Sequence, residues 1–532
     1  MNKTTHIILF LCAAIISVIP IDACESSWGL ADESVVCDKS VCYTYWWGYP
    51  CGDAPELRPI CINLRVKRNK KGEKLLCYIV VITIEDITKS GVFPMNILTQ
   101  ISESMQVVLK ETANNIARET GFIKRQRKIS GSHFVQTLVF GWLSNPDSTI
   151  EELAQTAATL GVSISSQGLD KRFTPDAAGF LKQVLEKAIT TIVESDPVAI
   201  PLLNRFNGVF IQDSSTITLP DCLAVIWSGC GGNCDKNTSS SVKTQILLDL
   251  NKGKLMGPYL QSGKEHDQSL QIEDLQDLPS GSVRMTDLGY FSLADFSDMS
   301  SKGIYWLSRL KSQCCLFTGD DKQWDLLELL EKHCFDIMDM QVLLGVKERI
   351  PCRILAFRVS DEVANERRRK LKAIARRKQK SVSSKSLKLA NWTVFCTNIP
   401  TELLSIQESI VLMRTRWQIE LIFKLWKSEG RIDEWRSAKP FRILCELYAK
   451  LLVMLIQHWL LLTGWQYPDR SLFKSVKTIR KHAVNLLIAF ASGVKEEMLK
   501  ALETIAHCLS CGCRINKRKN ILHTYQLLLE IT

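Results

Sequence analysis

Long apolar runs are missing from this sequence. The longest, residues 451–462, is broken by Gln457 and His458. It falls short of the roughly 20 residues that a membrane-spanning helix needs, so it reads as a buried core helix and no membrane partner is expected. There is no Walker-type glycine loop to cradle a nucleotide's phosphates, and no internal repeat of the kind that builds solenoids or propellers. Nor is the composition that of a disordered chain: 46% of residues are hydrophobic and 23% charged, ordinary values for a folding protein. Acid is the scarcer sign of charge, 56 residues against 67 basic ones, leaving a formal net charge of +11 that favours polyanionic partners. At 532 residues the chain exceeds what one hydrophobic core usually organises, so several domains are expected.

The scarcity of acid is sharpest between Glu366 and Leu389. Arg367, Arg368, Arg369, Lys370, Lys372, Arg376, Arg377, Lys378, Lys380, Lys385 and Lys388 follow one another there, with Glu366 as the single opposing charge. That density suits a surface that holds phosphates. A solvated helix face is the plainer reading.

From Met95 to about residue 200 the pattern is helical, with apolar residues recurring every three to four positions in 134–142, 149–160 and 177–193. Ser148 precedes Ile150, Glu151 and Leu153 as a candidate N-cap, with Glu151 three residues on. Residues 149–160, the turn Gly161-Val162-Ser163 and residues 165–173 have the lengths of a helix-turn-helix, whose second helix could enter a DNA major groove. Beyond Pro201 the period changes. Short apolar or β-branched runs at 208–212, 223–227, 242–250 and 283–286 lie between glycine and serine clusters and read as strands. Helical patterns return at 324–330 and dominate from 401 to 465 and from 471 onward. The expected class is therefore α/β: a helical region over residues 95–200, a mixed core over 201–470 and a helical C-terminal region over 471–532.

Residues 413–427, from Met413 to Lys427, read as one helix. At about 100° per residue, Met413, Arg416, Glu420 and Lys427 fall within a sector of about 60°. Leu412, Ile419, Ile422, Phe423 and Trp426 take the neighbouring sector and bury the helix. A carboxylate between two cations on a docked helix suits a metal and phosphate site; an amphipathic helix with surface ion pairs is the bland alternative. Upstream, the apolar run Phe210-Ile211 leads through Gln212 to Asp213, and the run from Val283 to Thr286 leads to Asp287, followed by Leu288-Gly289-Tyr290. Each is read as a strand that delivers an aspartate at its end, although either aspartate alone would pass for a turn residue.

Taken together, these stretches resemble the insertion-sequence-four family of bacterial transposases, enzymes of the DDE class. Arg416, Glu420 and Lys427 match three positions of its Tyr-(x2)-Arg-(x3)-Glu-(x6)-Lys signature, and the adjoining Arg-Trp-x-Ile-Glu and Phe-Lys, with Lys424, are also present. Met413 stands where the family has tyrosine, so the hydroxyl that would help hold a DNA phosphate is missing. Asp213 and Asp287 match the first and second catalytic aspartates. Asp287 follows Asp213 by 74 residues and Glu420 follows Asp287 by 133, which leaves room for the strand-rich insertion such relatives carry, here at about residues 305–390 and including the basic run. The resemblance covers roughly residues 100–530.

What the resemblance implies is a ribonuclease-H-like catalytic core in which Asp213, Asp287 and Glu420 are both catalytic residues and metal ligands. Oxygen ligands without a complete histidine or cysteine set suit two Mg²⁺ or Mn²⁺ ions rather than zinc, with Asp213 bridging them. Arg416, Lys427 and Lys424 would grip backbone phosphates. Trp392, 28 residues before Glu420, would stack on an extruded base as in hairpin-forming relatives; a core tryptophan at a strand start is the alternative. The implied activity is cut-and-paste transposition of an insertion sequence. Its partners are double-stranded terminal inverted repeats and target DNA, the enzyme a homodimer in the synaptic complex. A DNA-binding remnant that has lost catalysis is the alternative function. His507, Cys508, Cys511 and Cys513 are too compressed, and lack a second ligand pair, for a zinc site.

The first 94 residues do not match this picture. Residues 1–24 read as a secretory leader, with Lys3 ahead of an apolar stretch from Ile7 to Pro20 and a small-residue end at Ala23-Cys24. Cys12, Cys24, Cys37, Cys42, Cys51, Cys61 and Cys77 crowd into this segment, whereas twelve cysteines serve the other 438 residues. Such usage implies an oxidising compartment, while a DNA-handling enzyme is expected in the cytoplasm. Residues 1–94 are therefore expected to be foreign to the enzyme, with Met95 near its true beginning; an exported cysteine-rich appendage is the alternative.

Overall fold

The computed structural model describes residues 95–532 apart from 126–127, 231–239, 270–277, 334–335, 517–521 and 532; within residues 1–94 it describes the backbone of six strands. Most of the leader-like stretch 1–24, with Cys12, Cys24 and also Cys51, lies outside the described residues. The chain divides into two compact units, residues 1–95 and 96–532. In the first, Trp28–Asp38, Val41–Pro50, Ile60–Arg68 and Lys74–Ile82 form an antiparallel meander, with Cys37 and Cys42 as register partners across its first hairpin.

The second unit is built on one ten-stranded mixed sheet. Its strands are β1 (Val209–Leu219), β2 (Ser240–Asp249), β3 (Leu255–Ser262), β4 (Val283–Thr286), β5 (Tyr305–Arg309), β6 (Leu316–Phe317), β7 (Gln323–Trp324), β8 (Ile337–Leu344), β9 (Ile350–Arg358) and β10 (Trp392–Thr397). They lie in the order β7-β6-β8-β9-β10-β5-β4-β1-β2-β3. β4 is parallel to both β1 and β5, and every other neighbour is antiparallel. The helix Leu293–Ser301 makes the crossover that a parallel β4–β5 pair requires. Strand-rich residues do fill the stretch after β5, but they extend the same sheet through β6, β8, β9 and β10.

Several elements differ from expectation for physical reasons. Residues 223–227 are a turn, not a strand. Leu223 and Trp227 are buried four residues apart while Val225 between them is 98% exposed, a spacing that a strand's alternation cannot produce. β1 continues past Asp213, which pairs with Ile246, as far as Leu219 opposite Ser240, so Asp213 sits inside a strand and not at its end. The helix Ile150–Thr159 is capped by Thr149, whose hydroxyl accepts from the Glu152 amide at 3.2 Å while the Glu152 carboxylate accepts from the Thr149 amide at 2.7 Å. Ser148 is buried and turns its own hydroxyl onto the Gly141 carbonyl. The second helix of the hairpin is Ser166–Asp170, only five residues, and Asp170 is drawn into ion pairs with Lys439 and Arg442.

A central helix, Pro440–Leu462, explains why residues 96–532 hold together as one unit. It is 23 residues long, and every position from Ile443 to Leu462 is buried. By length and composition it is apolar enough to cross a membrane, but a helix apolar all round also suits the middle of a globule. Here Gly131–Ser144, Pro175–Ile189 and Leu472–Ser492 pack around it. The helical region 95–200, the mixed core and the C-terminal helices thus share a core.

Candidate active site

Asp213 and Glu420, on β1 and on the helix Trp417–Ser428, are brought together by Arg416. Its Nη1 lies 3.3 Å from Asp213 Oδ2 and its Nη2 donates to Glu420 Oε1 at 2.5 Å. The single helix expected over residues 413–427 is interrupted at this residue. Ile406–Thr415 and Trp417–Ser428 meet at Arg416, where the ladder tightens to three-residue spacing: the Arg416 amide donates to Met413 and the Ile419 amide to Arg416, each at 3.3 Å. Because the backbone there stays right-handed helical, Arg416 and Glu420 still share a face. Leu412, Ile419, Ile422, Phe423 and Trp426 are buried and dock the glutamate helix against the body of the protein.

Electrostatics join the third carboxylate to this pair. Burial, above all, pushes the Asp213 carboxyl above the usual carboxylate range. The Ser214 amide and the Arg416 guanidinium pull it back, and the charges of Glu420 and Asp287 push it further up. Asp287 precedes the turn Leu288–Tyr290 without capping it and is half-buried. Lys427 donates from Nζ to the Thr216 carbonyl at 2.9 Å, pinning the glutamate helix along β1; Lys424 is exposed. Among the described residues no three His, Cys, Asp or Glu side chains converge into a ready-made metal cage. The donor type is nevertheless one a hard cation takes: carboxylate oxygens, with the charges of Glu420 and Asp287 disfavouring that of Asp213 and a cationic guanidinium already between Asp213 and Glu420.

Around these carboxylates lies a buried polar network that was not singled out from the sequence. Gln212 accepts from Arg284 Nε and Nη2 at 3.1 and 2.5 Å, and donates to Gln245 Oε1 at 3.2 Å. The Tyr290 hydroxyl donates to that same oxygen at 3.1 Å, and Gln245 in turn donates to Gln261 and to the Asp267 carbonyl. Ser214 donates to Asp267 Oδ1 at 2.9 Å. A signal was present: Gln212 follows the apolar run Val209-Phe210-Ile211 and Arg284 lies between Val283 and Met285, each within three positions of a proposed catalytic aspartate.

Other singled-out residues lie apart from Arg416's contacts. Trp392 opens β10, is half-buried and packs against the apolar core around β8 and β9, while its carbonyl accepts from Arg367 at 2.8 Å. The basic run forms the helix Asp361–Arg377, where Ala364 alone is buried, and the shorter helix Ser384–Leu389. Arg367 and Arg368 bond to β10 and its approach, Lys385 pairs with Asp325 and Lys388 with Glu331, whereas Arg369, Lys372, Arg376, Arg377, Lys378 and Lys380 are exposed. Met413 is buried. It lines, with Arg416, a cavity of about 730 Å³ whose walls include Arg309, Arg414, Trp417 and Trp465, cations and aromatic faces of the kind nucleic acid uses.

The family described as "Transposase DDE domain" matches residues 204–456, a span that contains Asp213, Asp287 and Glu420. The chain is 30% identical over 363 residues to the transposase for insertion sequence element IS231C of Bacillus thuringiensis subsp. berliner, covering 64% of this chain and 75% of that relative. Over 446 residues it is 28% identical to the IS231F transposase of Bacillus thuringiensis subsp. israelensis, covering 79% and 92%. It is 25% identical over 386 residues to the IS1151 transposase of Clostridium perfringens, covering 66% and 78%. With a β-sheet and glutamate helix presenting acidic residues inside the matched region, the chain belongs to the family of insertion-sequence transposases with a DDE domain.

Proposed function

We propose that this transposase excises and reinserts its element by cut-and-paste chemistry, with Asp213, Asp287 and Glu420 as the catalytic carboxylates. The observation that carries the reading is the Arg416 guanidinium spanning Asp213 and Glu420, which joins a sheet residue to a helix residue more than 200 positions later. The strand order β3-β2-β1-β4-β5, with β1, β4 and β5 parallel, supports a ribonuclease-H-like core. The three carboxylates would hold two Mg²⁺ or Mn²⁺ ions. When bound, such ions supply an activated water or 3′-hydroxyl and stabilise the leaving oxygen of an in-line displacement at phosphorus.

The chain's own side chains do the rest. Arg416, Lys424 and Lys427 bind backbone phosphates of the element's terminal repeats, and with Met413 in the tyrosine position the grip rests on these cations. A phosphate approaching Arg416 competes for the guanidinium and frees oxygens of Asp213 and Glu420. The exposed face of the helix Asp361–Arg377 attracts the DNA backbone. Trp392 stacks on an extruded base so that a new 3′-hydroxyl reaches the opposite strand and closes a hairpin. Two copies of the chain pair the two element ends, acting on DNA in the cytoplasm. In the decisive experiment, an end-labelled terminal-repeat duplex is incubated with Mg²⁺ and each of Asp213→Asn, Asp287→Asn and Glu420→Gln. Nicking disappears in all three while gel-shift affinity for the duplex stays near wild type; normal nicking by any one of them removes that residue from the site.

A further inference from the structure

The segment that follows β3 reaches both the Asp213 stretch of β1 and the loop that begins at Asp287. Gly263 starts it by lying against β2: its amide donates to the Ser241 carbonyl at 2.9 Å, and a Cβ there would fall 1.9 Å from Ser241 Oγ. Four residues on, Asp267 Oδ1 accepts from Ser214 Oγ at 2.9 Å and from Lys243 Nζ at 2.8 Å. Ser214 is the residue whose amide donates to Asp213 Oδ1 at 2.8 Å. The next side chain, Gln268, turns the other way and donates from Nε2 to the carbonyls of Gly289 and Phe291 at 2.9 and 3.0 Å, in the loop that begins at Asp287. Gly289 also passes close to the acid, since a Cβ on it would stand 3.4 Å from Asp267 Oδ2.

We propose that Asp267 and Gln268 are positioning residues, a two-residue clasp that sets the Asp287 loop against the Asp213 stretch of β1 at the separation the reaction needs. This rests on the reading of Asp213 and Asp287 as catalytic carboxylates. β1 and β4 are parallel neighbours, so their backbones fix the strands, but Asp287 lies past the last β4 residue, where the ladder ends. Outside the ladder the loop is held by the Tyr290 hydroxyl on Gln245, by Lys311 Nζ on the Phe291 carbonyl at 3.0 Å, and by the Gln268 amide, which alone of these comes from the segment that also carries Asp267. On the other side, Asp267 fixes Ser214 and thereby the amide that orients the Asp213 carboxylate. Lys243 neutralises Asp267, which keeps this acid engaged as a strut. Hydrogen bonds that orient ligand side chains commonly govern metal affinity and activity by about 10- to 100-fold.

The test uses the full-length chain with a terminal-repeat duplex and Mn²⁺ as probe, read by nicking and, independently, by calorimetric titration of Mn²⁺ into the protein–duplex complex. Asp267→Ala and Gln268→Ala should each raise the Mn²⁺ concentration for half-maximal nicking by about 10-fold and weaken Mn²⁺ binding in parallel, with duplex affinity and melting temperature near wild type. Asp267→Asn, whose amide oxygen still accepts from Ser214 and Lys243, should recover most of the loss. Gln268→Ala removes only contacts to loop carbonyls, so it reports even where Asp267→Ala folds poorly. An unchanged Mn²⁺ requirement in Gln268→Ala, or losses confined to melting temperature in both alanine variants, overturns the clasp. Asp213→Asn is run alongside: if it nicks normally the carboxylate site itself is wrong, whereas if it is dead and both alanine variants behave as wild type only the clasp falls.

Discussion

On one side of the ten-stranded sheet, β1, β2 and β4 bury Gln212, Thr244, Gln245 and Arg284; on the other, β8 and β9 bury Met338, Val342, Leu344, Ile354 and Ala356, with Arg353 as a lone buried charge. All ten residues of β2 are buried, whereas β8 alternates between buried and exposed positions. A sheet covered on both faces has no need of polar interiors, and burying them costs free energy unless each finds a partner. In the β1–β4 half Gln212, Gln245 and Arg284 partner one another while Thr244 donates to the Ser215 carbonyl, and the network borders Asp213 and Asp287. In the other half Arg353 forks onto Asp339 and reaches the carbonyls of Ile399 and Leu404 at 2.8 and 3.0 Å, tying the sheet to the segment that leads into the glutamate helices. Polar burial surrounds the proposed catalytic aspartates in the first half and ties the sheet to the helices in the second.

The largest effect that would separate the halves is catalytic. Glu420→Gln should lower nicking on the order of 1000-fold, the size of several kcal/mol of lost charge stabilisation, with no comparable loss of stability. Arg353→Met should do the reverse. Leaving Asp339 and two carbonyls without their guanidinium should cost roughly 3 kcal/mol, seen as a lower urea midpoint, while the folded fraction keeps the wild-type Mn²⁺ requirement. A changed metal requirement there would erase the distinction.

Trp392 stands at the seam between the halves, and Trp392→Ala should sharpen the comparison. Losing about 1–3 kcal/mol of base stacking slows hairpin closure roughly 5- to 150-fold, so nicked duplex accumulates on a gel and hairpin is depleted. Equal loss of both products together with a lower melting temperature would assign Trp392 to the core it packs against.

The smallest effect concerns pH. The folded-state pKa of Asp213 is raised, chiefly by burial, so its contribution to stability is present at low pH and fades as pH rises through the window just above the ordinary carboxylate range. Metal-free Asp213→Asn should therefore melt slightly higher than wild type at neutral pH, with the difference vanishing in acid. A variant that melts lower at neutral pH would show that Arg416 more than compensates the charge.

Much of this was legible in the residues themselves. Asp213 and Glu420, more than 200 positions apart and assigned to one site by the family resemblance, both contact Arg416, and the apolar flank of the glutamate helix is buried as its period required. What escaped was set by tertiary context. Residues 223–227 carry strand-like composition, yet Trp227 folds back so that its Nε1 donates to Tyr448 of the central helix at 3.0 Å. The cap moved from Ser148 to Thr149 because Ser148 was needed by Gly141. Asp267 gave no local sign at all, since its partners Ser214 and Lys243 come from other strands.

Whether Asp213, Asp287 and Glu420 form one metal site is read from the number of Mn²⁺ ions bound to the full-length protein on its terminal-repeat duplex, counted by calorimetry in wild type and in Asp213→Asn, Asp287→Asn and Glu420→Gln. Wild type should bind two ions, and every variant should lose at least one. Unchanged stoichiometry and affinity in any of the three would contradict a shared site.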